Sequence, residues 1–420
     1  MDLAARLRTI RTGFSRSFWV ANVLELFERF AFYGSKAVLA VFLAEAVGLG
    51  TLGNSLVGLY GLAIFGLPIL TGPFVDRYGF RRSLLACFAI FSVGYFLIGL
   101  AGLPFGQGLV ASVGKVPYVV SALMLTALGG SLIKPCVVGT VARTTTPDSK
   151  SLGYSIYYTL VNLGGALGPV LALPVRENLG IAWVLVVSSA TSFLLVLGTF
   201  FFFAEPEKAA ATGPVRTLGQ VLADAALVFR DLRFISFLVI FSGFWMMFWQ
   251  VFLSLPFYVR DVLHFEKFEL IETVDAWTVI LLSIPATALV KRLRPILAMT
   301  LGFLVASGSW LLMASVPTLA ATIGAIMIFA LGESMQAPRF YEYVADLAPK
   351  EQVGTYMGFA FLPVALGYGI AGPLSGYLLK THLHGPHPEA MWTVLSGIGF
   401  ASTVLMVLYD RFVAPRRAGG

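Results

Sequence analysis

The sequence predicts an all-α membrane protein of twelve spans in two six-helix halves, and three observations carry that prediction. Hydrophobic residues make up 58% of the 420 and charged residues only 12%, with a mean hydropathy of +0.84, outside the range of a water-soluble globular chain. A spanning helix uses about 20 apolar residues, so with short loops the chain has room for roughly twelve. The third observation is a break in composition at 204–233, where Glu205-Pro206-Glu207-Lys208 is followed by Ala, Gly and Pro and by an amphipathic stretch near Leu218 to Phe229. This reads as a cytoplasmic linker with a helix lying at the membrane surface, separating a first bundle at 1–203 from a second at 234–420.

The net charge of +7 does not gather into a patch for nucleic acid. Arg6, Arg8, Arg11, Arg16, Arg77, Arg81, Arg82, Arg143, Lys150, Lys208, Arg216, Arg230, Arg233, Lys291, Arg292, Arg294, Lys350, Arg411, Arg416 and Arg417 fall in short loops on one side, against Lys115, Arg176, Arg260, Lys267 and Lys380 on the other. That asymmetry is the positive-inside pattern, and it predicts both termini in the cytoplasm and a multi-pass protein of the plasma membrane, the inner membrane if the source is bacterial. The basic N-terminal run precedes a long charged helix without a small-residue cleavage site, so it does not read as a signal peptide. Cys87 and Cys136 lie in apolar segments without metal-ligand spacing and are expected to pack.

Span 1, about Ser17 to Val47, carries the charges that organise the chain. At 100° per residue Glu25, Glu28, Arg29, Phe32, Tyr33 and Lys36 fall within an arc of roughly 140°, over about 16 Å of axis. A charge at that depth costs several kcal/mol unless paired or facing water, so the stripe should line a substrate path. Span 2, about Thr51 to Val75, holds Tyr60 and the small residues Gly61, Gly66 and Gly72, which allow close helix contact. Spans 3 and 4 follow at about Ser83 to Leu103 and Tyr118 to Val141, the second with Lys134 beside the helix-kinking Pro135. Span 5, about Leu152 to Val175, contains Tyr157, Tyr158 and Asn162, and span 6 ends near Phe203. An asparagine at this depth serves either a substrate or a bond between packed helices.

In the second half, span 7 at about Phe234 to Val259 carries Trp245, Trp249 and Gln250, and an acidic outer loop with Asp261, Glu266, Glu269, Glu272 and Asp275 follows. Spans 8 and 9, about Trp277 to Val290 and Pro295 to Val316, are apolar; span 10, about Leu319 to Tyr343, has Glu333 near its middle. Spans 11 and 12 lie at about Gly354 to Leu379 and Met391 to Leu408. The charges deep in the spans are thus Glu25, Glu28 and Glu333 against Arg29, Lys36 and Lys134. A balanced set avoids an uncompensated buried charge and can re-pair when a proton or a zwitterion arrives. No catalytic residue or metal site is expected: His264, His382, His384 and His387 lie in outer loops and no nucleophile–base pair is evident.

Two resemblances attach to these residues. Gly72-Pro-Phe-Val-Asp76-Arg77-Tyr-Gly79-Phe-Arg81-Arg82 resembles the loop signature of the major facilitator superfamily, whose fold of two six-helix bundles it implies. Asp76, Arg77, Gly79, Arg81 and Arg82 would form a conformational latch, Asp76 pairing with arginines or capping a neighbouring helix end. Glu25-x-x-Glu28-Arg29-Phe with Tyr33-Gly, Lys134-Pro135, Tyr157-Tyr158-x-x-Val-Asn162-x-Gly, and Gly332-Glu333-Ser-x-x-Ala-Pro338 resemble motifs of the proton-coupled oligopeptide transporters within that superfamily. The resemblance implies a symporter importing di- or tripeptides by alternating access, with protons as the coupling ion, no cofactor, the lipid bilayer as surroundings and a monomeric state. Glu25, Glu28, Arg29, Lys134 and Glu333 would couple protons, Lys134 pairing with Glu333 as the cytoplasmic gate closes. Tyr33, Lys36, Tyr60, Lys134, Tyr158, Asn162, Trp249 and Glu333 would bind substrate, Lys36 holding the peptide carboxylate and Glu333 the amine.

Two departures from the family pattern matter. Trp249 stands where many members have an acid, so the helix 1 to helix 7 salt bridge is missing and Lys36, a point charge in place of the usual arginine's bidentate fork, lacks that partner. On helix 8 Ala276, adjacent to Asp275, stands nine residues before Pro285 where members often have an asparagine. The alternatives are a divergent member that carries a non-peptide substrate or exports a drug-like molecule, and a non-transporting membrane sensor.

Overall fold

A computed structural model describes residues 13–146, 149–206, 218–349 and 352–414. The basic residues Arg6, Arg8, Arg11, Lys208, Arg216, Lys350, Arg416 and Arg417 lie outside them. Helices account for nearly all of the described chain: α1 Arg16–Val41, α2 Thr51–Gly66, α3 Pro68–Tyr78, α4 Phe80–Leu100, α5 Gln107–Val113, α6 Lys115–Thr144, α7 Lys150–Leu179, α8 Ile181–Phe202, α9 Leu218–Arg230, α10 Leu232–Phe248, α11 Gln250–Leu253, α12 Leu255–Asp261, α13 Phe268–Val290, α14 Pro295–Ser315, α15 Leu319–Leu347, α16 Val353–Gly358, α17 Leu362–Leu378 and α18 Ala390–Phe412.

Among the described residues, 10 helices are long and apolar enough to cross a membrane, and the bent pair α2 and α3 makes an eleventh if counted as one span. The twelfth expected span is α1. Its 26 residues reach about 39 Å at 1.5 Å each, but Glu25, Glu28, Arg29 and Lys36 keep it out of a count made by apolarity.

The breaks have local causes. The second span bends by 44° where Pro68 sits in the first turn of α3 and cannot donate back. The seventh, expected as one helix, is interrupted at Trp249 and Ser254, with Pro256 opening α12. The eleventh passes through a 3₁₀ turn, Phe359–Phe361, before Pro363. Span 8 starts at Phe268, nine residues before the expected Trp277. Glu269 in its first turn suits the positive end of the helix, and Glu269, Glu272 and Asp275 are therefore helical and buried, not loop residues. The amphipathic stretch of the linker forms α9 as expected.

The chain divides into two compact units, Met1–Phe42 with Leu67–Leu218, and Leu43–Gly66 with Gly219–Gly420. In the first, α1 packs on α7 and α8, and α4 packs on α6 and α8. The crossing of α1 and α7 is close because a Cβ on Gly168 would lie 2.9 Å from the Tyr33 Cβ and one on Gly34 would lie 3.0 Å from the Gly168 carbonyl. In the second, α14 packs on α15 and α18, α13 on α15, and α10 on α17. Residues 43–66, which the sequence assigns to the first bundle, pack here as well, with α2 along α17. A Cβ on Gly58 would sit 2.8 Å from the Gly372 Cα, so small residues set that approach. Both cysteines are buried and unpaired.

Candidate functional site

The first unit brings four of the predicted charges together. Glu25 and Arg29 stand one turn apart on α1, and the Arg29 Nε lies 3.5 Å from the Glu25 Oε1 and 2.5 Å from the Glu28 Oε2. Lys134 reaches across from α6, its Nζ 3.3 Å from the same Glu25 Oε1. It also donates to the Tyr157 hydroxyl of α7 at 2.8 Å. Glu25, Glu28 and Arg29 are buried, while 28% of the Lys134 side chain is exposed. Two carboxylates thus share two cations. One oxygen of each, Glu25 Oε2 and Glu28 Oε1, is buried without a hydrogen-bond donor.

Three local features hold this group in place. Gly164 of α7 lies against the Arg29 Cβ, where any side chain would collide. The Arg29 guanidinium sits over the Phe32 ring at 4.7 Å, which orients it along the helix face. Pro135 cannot donate to the carbonyl of Ser131 four residues earlier, and the Thr71 hydroxyl of α3 donates to that carbonyl instead at 3.0 Å. Thr71 was not among the residues singled out by sequence. The hydroxyl comes from 60 positions away in sequence, so no local pattern signals the bond.

The remaining predicted residues take several environments. Lys36 is buried on α1 with its Nζ over the Tyr33 ring at 4.7 Å, and Tyr33 is half-buried. Tyr158 is 58% exposed, its ring edge-on to Tyr157 at 5.2 Å; of the tyrosine pair it is Tyr157 that bonds Lys134. Asn162 is half-buried on α7. In the second unit, Tyr60 and Trp249 are buried, and Glu333 is half-buried in the middle of α15. Trp249 lies flat on Tyr368, ring centres 3.9 Å apart.

The signature loop adopts the expected turn with Gly79 at φ 85° between α3 and α4, a backbone region open to glycine. Asp76, Arg77 and Arg82 are exposed. The start of α4 is capped by Glu205, whose two carboxylate oxygens accept from the Phe80 N–H at 2.8 Å and the Arg81 N–H at 2.7 Å. The Arg81 guanidinium donates to the Phe200 carbonyl at 2.6 Å, and Arg143 lies over the Phe80 ring at 4.2 Å. Asp76 was expected to pair with arginines or cap a helix end; at α4 Glu205 does this. Among the described residues no group of His, Cys, Asp and Glu is arranged to hold a metal ion.

Comparison with known proteins agrees with this architecture. The family model described as Major Facilitator Superfamily matches residues 22–274 and 267–419. Multidrug resistance protein MdtH of Klebsiella pneumoniae (strain 342) is 26% identical over 369 residues, 87% of this chain and 86% of that protein. Multidrug resistance protein MdtH of Sodalis glossinidius (strain morsitans) is 27% identical over 393 residues, 91% and 90% of the two chains. Among solved structures, a POT family transporter in complex with a thioalcohol conjugated peptide superposes with a TM-score of 0.76 at 17% identity, covering 94% of this chain and 96% of that one. Peptide transporter POT in complex with sulfate gives 0.75 at 19% identity, covering 94% of each.

Proposed function

The chain belongs to the major facilitator superfamily, and from that premise we propose that it is a proton-coupled carrier of small peptide-like zwitterions. One observation carries the reading: Glu25 and Glu28 share Arg29 and Lys134, and each keeps a buried oxygen with no donor. A proton can therefore be added to either acid without displacing an existing hydrogen bond. Neutralising Glu28 removes the strongest hold on Arg29. The guanidinium then turns to Glu25, and the Lys134 ammonium is released toward the solvent it already partly meets. Lys134 so freed is an anion site for a peptide carboxylate, and the proton enters together with the cargo.

In this reading Tyr33, Lys36, Tyr60, Tyr158, Asn162, Trp249 and Glu333 supply substrate contacts, with Glu333 as the acid for the amine. The carrier has twelve spans including α1, cytoplasmic termini and two halves joined by the linker 204–233, and it works by alternating access in the plasma membrane.

A second reading, export of drug-like molecules, is favoured by the aromatic Trp249, stacked on Tyr368, where the family pattern has an acid, and by the relatives called multidrug resistance proteins. The test is uptake of labelled di-alanine into proteoliposomes under an inward proton gradient. The expected result is gradient-dependent accumulation, abolished in Glu28→Gln and Lys134→Ala. Rates unchanged when the gradient is collapsed would sink the coupling. Gradient-driven movement of ethidium without any di-alanine flux would replace the first cargo by the second.

A further inference from the structure

Each unit contains the same arrangement around a helix proline. Pro135 on α6 and Pro338 on α15 lie inside long helices, and neither can donate to the carbonyl four residues earlier. In the first unit that carbonyl belongs to Ser131, and the Thr71 hydroxyl of α3 donates to it at 3.0 Å. In the second it belongs to Ser334, and the Thr287 hydroxyl of α13 donates to it at 3.3 Å. The helices occupy corresponding places, since α3 and α6 belong to spans 2 and 4, and α13 and α15 are spans 8 and 10. Both serines are buried, where a carbonyl left without a donor is costly.

The surroundings of the two bonds match as well. A helical threonine ordinarily donates to the carbonyl four residues back in its own helix, as Thr126, Thr140, Thr278 and Thr300 do. Thr71 and Thr287 cross instead to a neighbouring helix, to the carbonyl there that proline has deprived of its donor. Two residues before each bonded serine a glycine lies against a third helix. A Cβ on Gly129 would sit 3.0 Å from the Ile90 Cγ2 of α4, and one on Gly332 would sit 2.6 Å from the Gly302 carbonyl oxygen of α14. Each helix is therefore packed closely on the N-terminal side of its proline, and the freedom to bend is left at the proline. The charges lie at these points: Lys134 immediately precedes Pro135, and Glu333 immediately precedes Ser334.

We propose that Thr71 and Thr287 are a matched pair of positioning residues. Each closes the gap that a proline leaves in the helix ladder and so fixes the direction in which Lys134 or Glu333 points. The proposal rests on the carrier reading above for what those two charges do. With the first clasp made, α6 keeps the Lys134 Nζ 3.3 Å from Glu25 and 2.8 Å from the Tyr157 hydroxyl. With it broken, the helix bends at Pro135 and the ammonium turns out of that geometry. The second clasp does the same for Glu333.

Hydrogen–deuterium exchange of the full chain in lipid nanodiscs tests this. Thr71→Val should raise exchange across residues 136–144 about threefold to tenfold, as the loss of one hydrogen bond allows, and leave 339–347 unchanged. Thr287→Val should do the reverse. Thr71→Ser and Thr287→Ser keep a hydroxyl and should exchange as wild type. Pro135→Ala restores an N–H that bonds the Ser131 carbonyl within the helix, so in that background Thr71→Val should have no further effect. Pro338→Ala should silence Thr287→Val in the same way. General loosening would instead add to the proline change and spread to α4 and α14. Wild-type exchange in both valine variants, or valine effects of full size in the alanine backgrounds, would overturn the proposal. In proteoliposomes both valine variants should slow gradient-driven di-alanine turnover at least about threefold, leave half-saturation within about twofold, and recover as serine. Valine variants that transport as wild type would likewise overturn it. Failure of uptake by the wild type would sink the carrier reading alone, because exchange is measured without gradient or substrate.

Discussion

Lys134 is the residue on which the coupling group turns, because it crosses from α6 to meet both Glu25 on α1 and Tyr157 on α7. A hydrogen bond from a charged donor contributes about 1.5–3 kcal/mol, and about 1.4 kcal/mol is tenfold in an equilibrium or rate. Tyr157→Phe should therefore slow proton-driven uptake at least tenfold and shift its pH dependence, since Lys134 loses a partner that does not titrate with Glu25. Tyr158→Phe, at an exposed ring, should alter apparent substrate affinity and leave the pH profile in place. Rates measured across pH 5 to 8 check this, and equal profiles for the two variants would contradict the assignment. The motif Tyr157-Tyr158 was legible in the sequence, as were the charges of span 1 and Lys134. Which tyrosine meets the lysine was not. Adjacent helix residues point about 100° apart, and only the packing of α6 against α7 selects one.

At the scale of elements, charge and periodicity located nearly every helix, while prolines and glycines decided where spans bend or break. The expected loop at Glu269 to Asp275 became helix because apolar residues interleave with the acids, a pattern that hydropathy alone reads as a boundary. The cap on α4 was less legible still. Glu205 lies 125 residues from Phe80 in sequence, in a segment whose composition reads only as linker. Its two short bonds to backbone N–H groups at a helix start are the kind of contact whose loss costs about 0.5–2 kcal/mol, more toward the upper end for a charged acceptor. Glu205→Ala should lower the melting temperature of the purified protein by about 2–4 °C, whereas Asp76→Ala, at an exposed position, should change stability by less than about 0.5 kcal/mol. The two melts decide the matter, and the reverse order would return the capping role to Asp76.

Across the whole chain, residues 43–66 stand out because sequence order puts them between α1 and α3 while their packing puts them in the second unit. Asn54 donates to the Leu253 carbonyl at 2.9 Å and to the Ser375 hydroxyl at 3.0 Å, Gly58 meets Gly372, and Glu45 pairs with Arg260 through both guanidinium nitrogens. None of these partners could be read from local pattern, since a pair 215 positions apart leaves no periodicity. The buried amide bonds and the glycine contact hold the segment by geometry; the ion pair is different in kind. Its side chains are 20% and 49% exposed, so it contributes about 0.2–1 kcal/mol and is screened by salt. A fastening of that strength is suited to opening and closing. Glu45→Gln should therefore raise hydrogen–deuterium exchange across residues 51–66 by up to about fivefold, as 1 kcal/mol allows. Raising the ionic strength to about 1 M, where screening acts within about 3 Å, should speed the same exchange in the wild type and leave Glu45→Gln unchanged. If salt accelerates both proteins equally, the segment is held by Asn54 and the Gly58–Gly372 contact alone, and the Glu45–Arg260 pair does not fasten it.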